Sequence, residues 1–136
     1  MSDRKVRPIA SRDQKRWREL FHGYVTFYEA SVPEPVIALT WHRLLGGEDG
    51  MMGLVAVDEN DRPFGLAHLI FHRSTWSQTW YCYLEDLYVD PAVRGTGAGR
   101  LLITATYAEA DRRGADRTYW ATQDKNRTAR QLYDRI

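Results

Sequence analysis

The sequence has a single cysteine, Cys82, among 136 residues and therefore cannot form an internal disulfide. It also has little net charge, because 19 Lys and Arg against 18 Asp and Glu give +1, which argues against a general nucleic-acid-binding protein. No apolar stretch follows the basic residues Arg4, Lys5 and Arg7, and none elsewhere is long enough to cross a bilayer. These absences predict a cytoplasmic protein without nucleic-acid or membrane partners.

Metal-ligand patterns are missing as well. The histidines have no second cysteine or acidic partner at a metal-ligand spacing, so no metal site is predicted. Cys82 lies in an apolar segment and is interpreted as a small core residue. Each histidine is interpreted as a surface or packed residue, with a pocket-lining position as the alternative for His72. The four are His22, His42, His68 and His72.

Apolar spacing, capping residues and turn residues predict alternating helices and strands. Ser11 and Gln14 form an S-x-x-Q capping-box pattern, Pro8 confines the first strand to a sheet edge, and Gly46 and Gly47 stop the second helix. Helices are predicted over 11–30, 35–45, 99–113 and from 126 onward, and strands over 5–10, 53–58, 64–71, 79–89 and 117–122. This order predicts a mixed α/β sheet in one domain spanning residues 1–136.

The most informative segment is 87–103, where a strand is followed by a turn, three alternating glycines and the apolar run that begins a helix. Bare backbone N–H groups at a helix N-terminus bind anions, and Gly95, Gly97 and Gly99 would let a phosphate-bearing ligand approach closely. The spacing does not fit G-x-G-x-x-G, because the third glycine comes one residue early, so a dinucleotide oxidoreductase is excluded. A P-loop is excluded because Arg100 and Leu101 follow the last glycine.

Two motifs resemble those of the GNAT superfamily of N-acetyltransferases. The segment Arg94-Gly95-Thr96-Gly97-Ala98-Gly99 matches the signature R/Q-x-x-G-x-G/A, and Asn126, Ala129, Leu132 and Tyr133 match the second motif, N-x-x-A-x-x-L-Y. The stretch Tyr83-Leu84-Glu85-Asp86 with its following apolar run is similar to the spermidine/spermine N-acetyltransferases. The segment Trp120-Ala121-Thr122-Gln123 resembles the fungal histone-type and D-amino-acid acetyltransferases.

The resemblance implies a fold and a donor. The fold is a single α/β domain with a mixed, mostly antiparallel sheet flanked by helices, and with a splayed parallel strand pair at the cofactor site. Because the family continues beyond the position of Tyr133 with two further strands, this chain is expected to lack them. The implied co-substrate is acetyl-CoA, without a metal. The residues expected to bind it are Leu87, Tyr88, Val89, Arg94, Gly95, Thr96, Gly97, Ala98, Gly99, Arg100 and Asn126.

Catalysis on an amine requires a base, because presenting a lysine-like ammonium in its neutral form at pH 7 costs roughly 4–5 kcal/mol. The resemblance implies that Glu85 is this base and that Tyr133 is the general acid near the CoA sulfur. Asp86 is the alternative base or a contact to a cationic substrate. On a regular strand Glu85 and Asp86 face opposite sides, and a bulge would change that.

The expected activity is transfer of acetyl from acetyl-CoA to a primary amine of a small molecule, a polyamine or an amino acid, by direct attack. Two alternatives stay open: a protein-lysine acetyltransferase of histone type, and an acyl-CoA-binding sensor without catalysis. A pure sensor would require neither Glu85 nor Tyr133. A homodimer is expected, since an exposed sheet edge favours pairing.

Overall fold

A five-stranded sheet forms the centre of the computed structural model, which describes residues 4–93 and 96–121. The strands lie side by side in chain order, antiparallel except for the parallel last pair. The mixed, mostly antiparallel sheet is thus confirmed. Its strands are β1 (Lys5–Pro8), β2 (Met51–Val57), β3 (Pro63–His72), β4 (Trp80–Val89) and β5 (Ala115–Tyr119). Its helices are α1 (Gln14–Phe27), α2 (Glu34–Gly46) and α3 (Ala98–Arg112).

The two faces of the sheet bury separate apolar cores. On one face α1 and α2 pack aromatic side chains, among them Trp17 and Trp41, against the sheet residues Leu66 and Tyr88. On the other face α3 buries Leu102 and its neighbours against the opposite side chains of β2, β3 and β4. From Leu66 onward, side chains on opposite sides of β3 enter the two cores, as expected for a sheet covered on both sides.

The first helix begins later than predicted. Residues Ser11–Asp13 form a 3₁₀ turn, and the carboxylate of Asp13 accepts the Ala10 N–H at 2.8 Å. The same carboxylate binds the Arg7 guanidinium at 2.8 and 3.0 Å. The predicted pairing of Ser11 with Gln14 is therefore wrong, because charge-assisted bonds to Asp13 are stronger than those of a serine hydroxyl. In residues 4–93 and 96–121, no helix has the length and apolar character needed to span a bilayer.

Candidate active site

The parallel strands β4 and β5 separate part of the way along their length. Their pairing runs from Trp80 opposite Ala115 to Tyr83 opposite Tyr119, where β5 ends. Beyond this point β4 continues to Val89, still paired with β3 but no longer with β5. Within the described part of the chain, a gap therefore opens between β4 and β5 beyond Tyr83. The predicted splayed strand pair is confirmed.

A β-bulge at Glu85 changes which residues of β4 face each side of the sheet. Leu69 pairs with Leu84 and His68 pairs with Asp86, so Glu85 has no partner on β3. Before the bulge Leu84 packs in the α3 core, whereas after it Tyr88 packs with α1 and α2, although both positions are even-numbered. The regular alternation is broken by the extra residue. Glu85 and Asp86 therefore line the same cavity.

This cavity has a volume of about 470 Å³ and lies between α1, α2 and the splayed strands. Tyr24 and Tyr28 of α1 form one wall, and Tyr83 and Trp120 stand near the point where the strands separate. Its acidic side chains are Glu85 and Asp86, and no lysine or arginine lines it among the described residues. The cavity is therefore suited to a positively charged ligand.

Glu85 is a carboxylate without a partner in the described residues. It remains exposed, yet partial burial in the cavity raises its pKa, and the negative charge of Asp86 raises it further. A raised carboxyl pKa makes the carboxylate a stronger proton acceptor. Glu85 thus has the electrostatic setting of a general base.

Asp86 is held very differently from its neighbour. Its Oδ2 lies 2.8 Å from Nδ1 of His68, and the Tyr24 hydroxyl also donates to its carboxylate. Burial alone would raise its pKa, but the hydrogen bonds from His68 and Tyr24 hold the pKa below its usual value. Asp86 is therefore a fixed anion, and a weaker base than Glu85.

Sequence reasoning missed two residues of this site, His68 and Tyr24. His68 is only 2% exposed, as expected for a packed histidine, but it also contacts Asp86 across the β3–β4 ladder. The contacts of His68 and Tyr24 with Asp86 leave no signal in the residue spacing, because both residues are distant from Asp86 in the sequence. His72 lines a separate cavity of about 330 Å³ and bonds to the Tyr119 hydroxyl at 2.6 Å.

The N-terminus of α3 offers the backbone N–H groups of its first turn as donors for an anion. Gly97 precedes the helix at φ +85°, a conformation that favours glycine, and a Cβ at Gly97 or Gly99 would meet no atom of the described residues within 4 Å. Free space therefore lies in front of the first turn, where N–H groups bind anions. This observation fits the diphosphate of a CoA molecule. The Thr96 hydroxyl donates to the Val93 carbonyl at 2.7 Å, and the exposed Arg100 lies in the first turn.

The other residues predicted to bind the cofactor divide into two groups. Leu87, Tyr88 and Val89 pair with β3 and lie beyond the point where β4 and β5 separate. The Ala98 side chain is buried in the α3 core, which leaves only its backbone for a ligand. Arg94, Gly95, Asn126 and Tyr133 lie outside the described residues. Within the described ranges, no group of three or more His, Cys, Asp or Glu is arranged to hold a metal ion.

Comparison with known proteins identifies the class. The chain matches the model of the Acetyltransferase (GNAT) family over residues 17–136 and belongs to that family. A D-amino-acid N-acetyltransferase of Saccharomyces cerevisiae, HPA3, is 32% identical over 132 residues, covering 96% of this chain and 82% of the relative. A thialysine N-epsilon-acetyltransferase of Caenorhabditis elegans is 34% identical over 76 residues, covering 56% of this chain and 47% of the relative.

Solved structures agree on the fold. A probable acetyltransferase superposes with a TM-score of 0.84 at 25% identity, covering 97% of this chain and 87% of that one. The aminoglycoside N-acetyltransferase AAC(6')-Iy in complex with CoA superposes with a TM-score of 0.82 at 17% identity, covering 99% and 87%. The protein is thus an N-acetyltransferase with the GNAT fold.

Proposed function

We propose that the protein transfers acetyl from acetyl-CoA to a primary amine of a small cationic molecule of the polyamine type. The observation that carries this proposal is the cavity beside the splayed strands, in which Glu85 and Asp86 stand together and no described lining residue is a lysine or arginine. The α-carboxylate of an amino acid would face these two anions without a cationic partner among the described lining residues. Amino acids are the second candidate, because the relative HPA3 is named for D-amino acids.

The bound acetyl-CoA would supply the thioester carbonyl. The backbone N–H groups of Thr96 to Gly99 and the adjoining Gly95 would bind its diphosphate, with Arg94 and Arg100 adding charge. The β4 backbone at Leu87, Tyr88 and Val89 would hydrogen-bond the amides of its pantetheine arm, as a peptide strand does. Asn126 would cap the helix predicted from residue 126 onward and contact the same ligand.

The chemical step requires a neutral amine. Asp86, held as an anion, attracts the ammonium form into the cavity, and Glu85, with its raised pKa, takes the proton directly or through one water. The freed amine then attacks the carbonyl in a ternary complex, without a covalent enzyme intermediate. Tyr133 is proposed on its motif alone to donate a proton to the departing thiolate.

The negative charge of Asp86 is expected to determine the pH at which the acid limb of the kcat/KM profile falls. In Asp86→Asn the negative charge beside Glu85 is lost, so the pKa of Glu85 falls and the limb of kcat/KM moves to lower pH. The measurement is kcat/KM against pH for wild type and variant with one amine. An unmoved limb, or a move to higher pH, would show that a group other than Glu85 controls it.

Tyr133→Phe is expected to lower kcat by about tenfold or more, since the thiolate would leave without its proton donor. Single-turnover rates at saturating acetyl-CoA check this without interference from product release. Unchanged turnover would remove Tyr133 from the mechanism.

The proposed activity is tested by thiol release from acetyl-CoA over a panel of polyamines, D- and L-amino acids, aminoglycosides and a histone-tail peptide. The highest kcat/KM is expected for the polyamines. A preference for amino acids or for the peptide would overturn the acceptor class. Release with none of the amines would instead favour a CoA-binding protein without transfer.

The homodimer and the cytoplasmic location stay predictions. Light scattering on the purified chain is expected to give twice the monomer mass, and a monomer at all concentrations would contradict the dimer.

A further inference from the structure

A chain of hydrogen bonds leads from the buried core to the acceptor cavity. The indole N–H of Trp17 donates to Nε2 of His68 at 2.9 Å, and Nδ1 of His68 lies 2.8 Å from Oδ2 of Asp86. Trp17 is 1% exposed and His68 is 2% exposed, so water competes for neither group. His68 and Asp86 both line the cavity, and Asp86 stands there beside Glu85.

The two neighbours of His68 determine where its proton lies. An indole nitrogen can only donate, so Nε2 of His68 must carry a lone pair. The proton of the neutral ring is therefore on Nδ1, which faces the Asp86 carboxylate. A second proton on Nε2 would oppose the Trp17 N–H in a buried site. Trp17 thus fixes the tautomer that donates to Asp86.

We propose that His68 is a positioning residue for the acetyl transfer: with its tautomer fixed by Trp17, it holds the Asp86 carboxylate in place to receive the ammonium group of the acceptor. This assignment rests on the proposed function. Glu85 then keeps the separate task of removing the proton. The pair of acidic residues divides into an anchored anion that binds and a free carboxylate that reacts.

The surroundings of the pair support this division. Tyr24 of α1 adds a second donor to Asp86, whereas Glu85 receives no hydrogen bond in the described ranges. The other titratable groups that line the cavity are Tyr28 and Tyr83, whose phenols are never cationic, and His68 itself, whose two ring nitrogens are bound to Trp17 and Asp86. The ligand ammonium therefore has Asp86 and Glu85 as its only anionic partners among the described lining residues.

Two amide substitutions separate the two bonds of His68. The Asn amide nitrogen reaches the position of Nδ1, so His68→Asn keeps the donor to Asp86 and loses the acceptor for Trp17. The Gln side chain is longer and reaches the position of Nε2, so His68→Gln keeps the acceptor for Trp17 and loses the donor to Asp86. His42, exposed on α2 and not among the residues that line the cavity, gives the matched controls His42→Asn and His42→Gln.

The experiment measures KM and kcat of the five proteins with the preferred amine, after circular dichroism has compared their folding. We expect KM for the amine to rise about tenfold in His68→Gln and less than about threefold in His68→Asn, because a hydrogen bond to a charged group is lost only in the former. The value of kcat should change little in either variant, since Glu85 remains. Both His42 variants should behave as wild type.

Equal KM values in His68→Gln and wild type, or a larger loss in His68→Asn than in His68→Gln, would overturn the role of His68. So would ¹⁵N NMR of labelled histidine that places the His68 proton on Nε2 near neutral pH, a result independent of activity. A wild-type protein that acetylates no amine would overturn the proposed function, and the role of His68 with it.

Discussion

Replacing Glu85 with glutamine is expected to lower kcat by about 10²- to 10⁴-fold, the usual contribution of a positioned general base. Glutamine keeps the size and polarity of the side chain but cannot accept the ammonium proton. KM for the amine should change little, because the Asp86 carboxylate remains in the cavity. Steady-state rates with saturating acetyl-CoA provide the measurement.

The pH dependence of this loss gives a further check. The difference between wild type and Glu85→Gln should shrink as the pH approaches the amine pKa of about 10.4, because free amine then becomes abundant without a base. Glu59→Gln, in the exposed turn between β2 and β3, is the matched control and should retain wild-type rates. Loss of less than about threefold in Glu85→Gln would exclude Glu85 as the base.

The second large effect is expected at the N-terminus of α3. Gly97→Ala should raise the Kd for acetyl-CoA by about 10- to 100-fold, equivalent to roughly 1.4–2.8 kcal/mol. Alanine is strained at φ +85°, and its methyl group would occupy the open space in front of the first turn. Calorimetric titration with acetyl-CoA measures the change.

Gly114→Ala is the matched control at the opposite end of the same helix. Gly114 has φ +73°, and a methyl group added there would also meet open space, so the two variants should lose similar amounts of stability. Only Gly97→Ala should weaken acetyl-CoA binding. An unchanged Kd in both variants would place the diphosphate elsewhere, whereas equal weakening in both would indicate a general effect of destabilising α3.

Much of the fold follows from local sequence patterns. Pro8 correctly predicted an edge strand, Gly47 at φ +68° ends α2 as expected, and the glycines before Leu101 correctly marked the start of α3. These predictions succeeded because each depends on a residue with a strong conformational preference of its own. The splayed strands were expected from the family resemblance, not from any such residue.

The bulge at Glu85 has no comparable signal. The segment from Tyr83 to Leu87 contains neither glycine nor proline, so the sequence predicts a regular strand with Glu85 and Asp86 on opposite faces. Only the register with β3 shows that both carboxylates reach one cavity. Long-range pairs such as His68 with Asp86 also cannot be predicted from the sequence, because the spacing of the residues does not specify which side chains meet across two paired strands.

The most direct test of the proposed mechanism is a crystal structure with CoA and the amine preferred in the panel. We expect the CoA thiol in the gap between β4 and β5 and the diphosphate on the turn at Gly97. The amine nitrogen should lie beside Asp86 and within about 3 Å of the Glu85 carboxylate, or be bridged to it by one water. An amine bound outside this cavity, or with Glu85 turned away from its nitrogen, would contradict the mechanism.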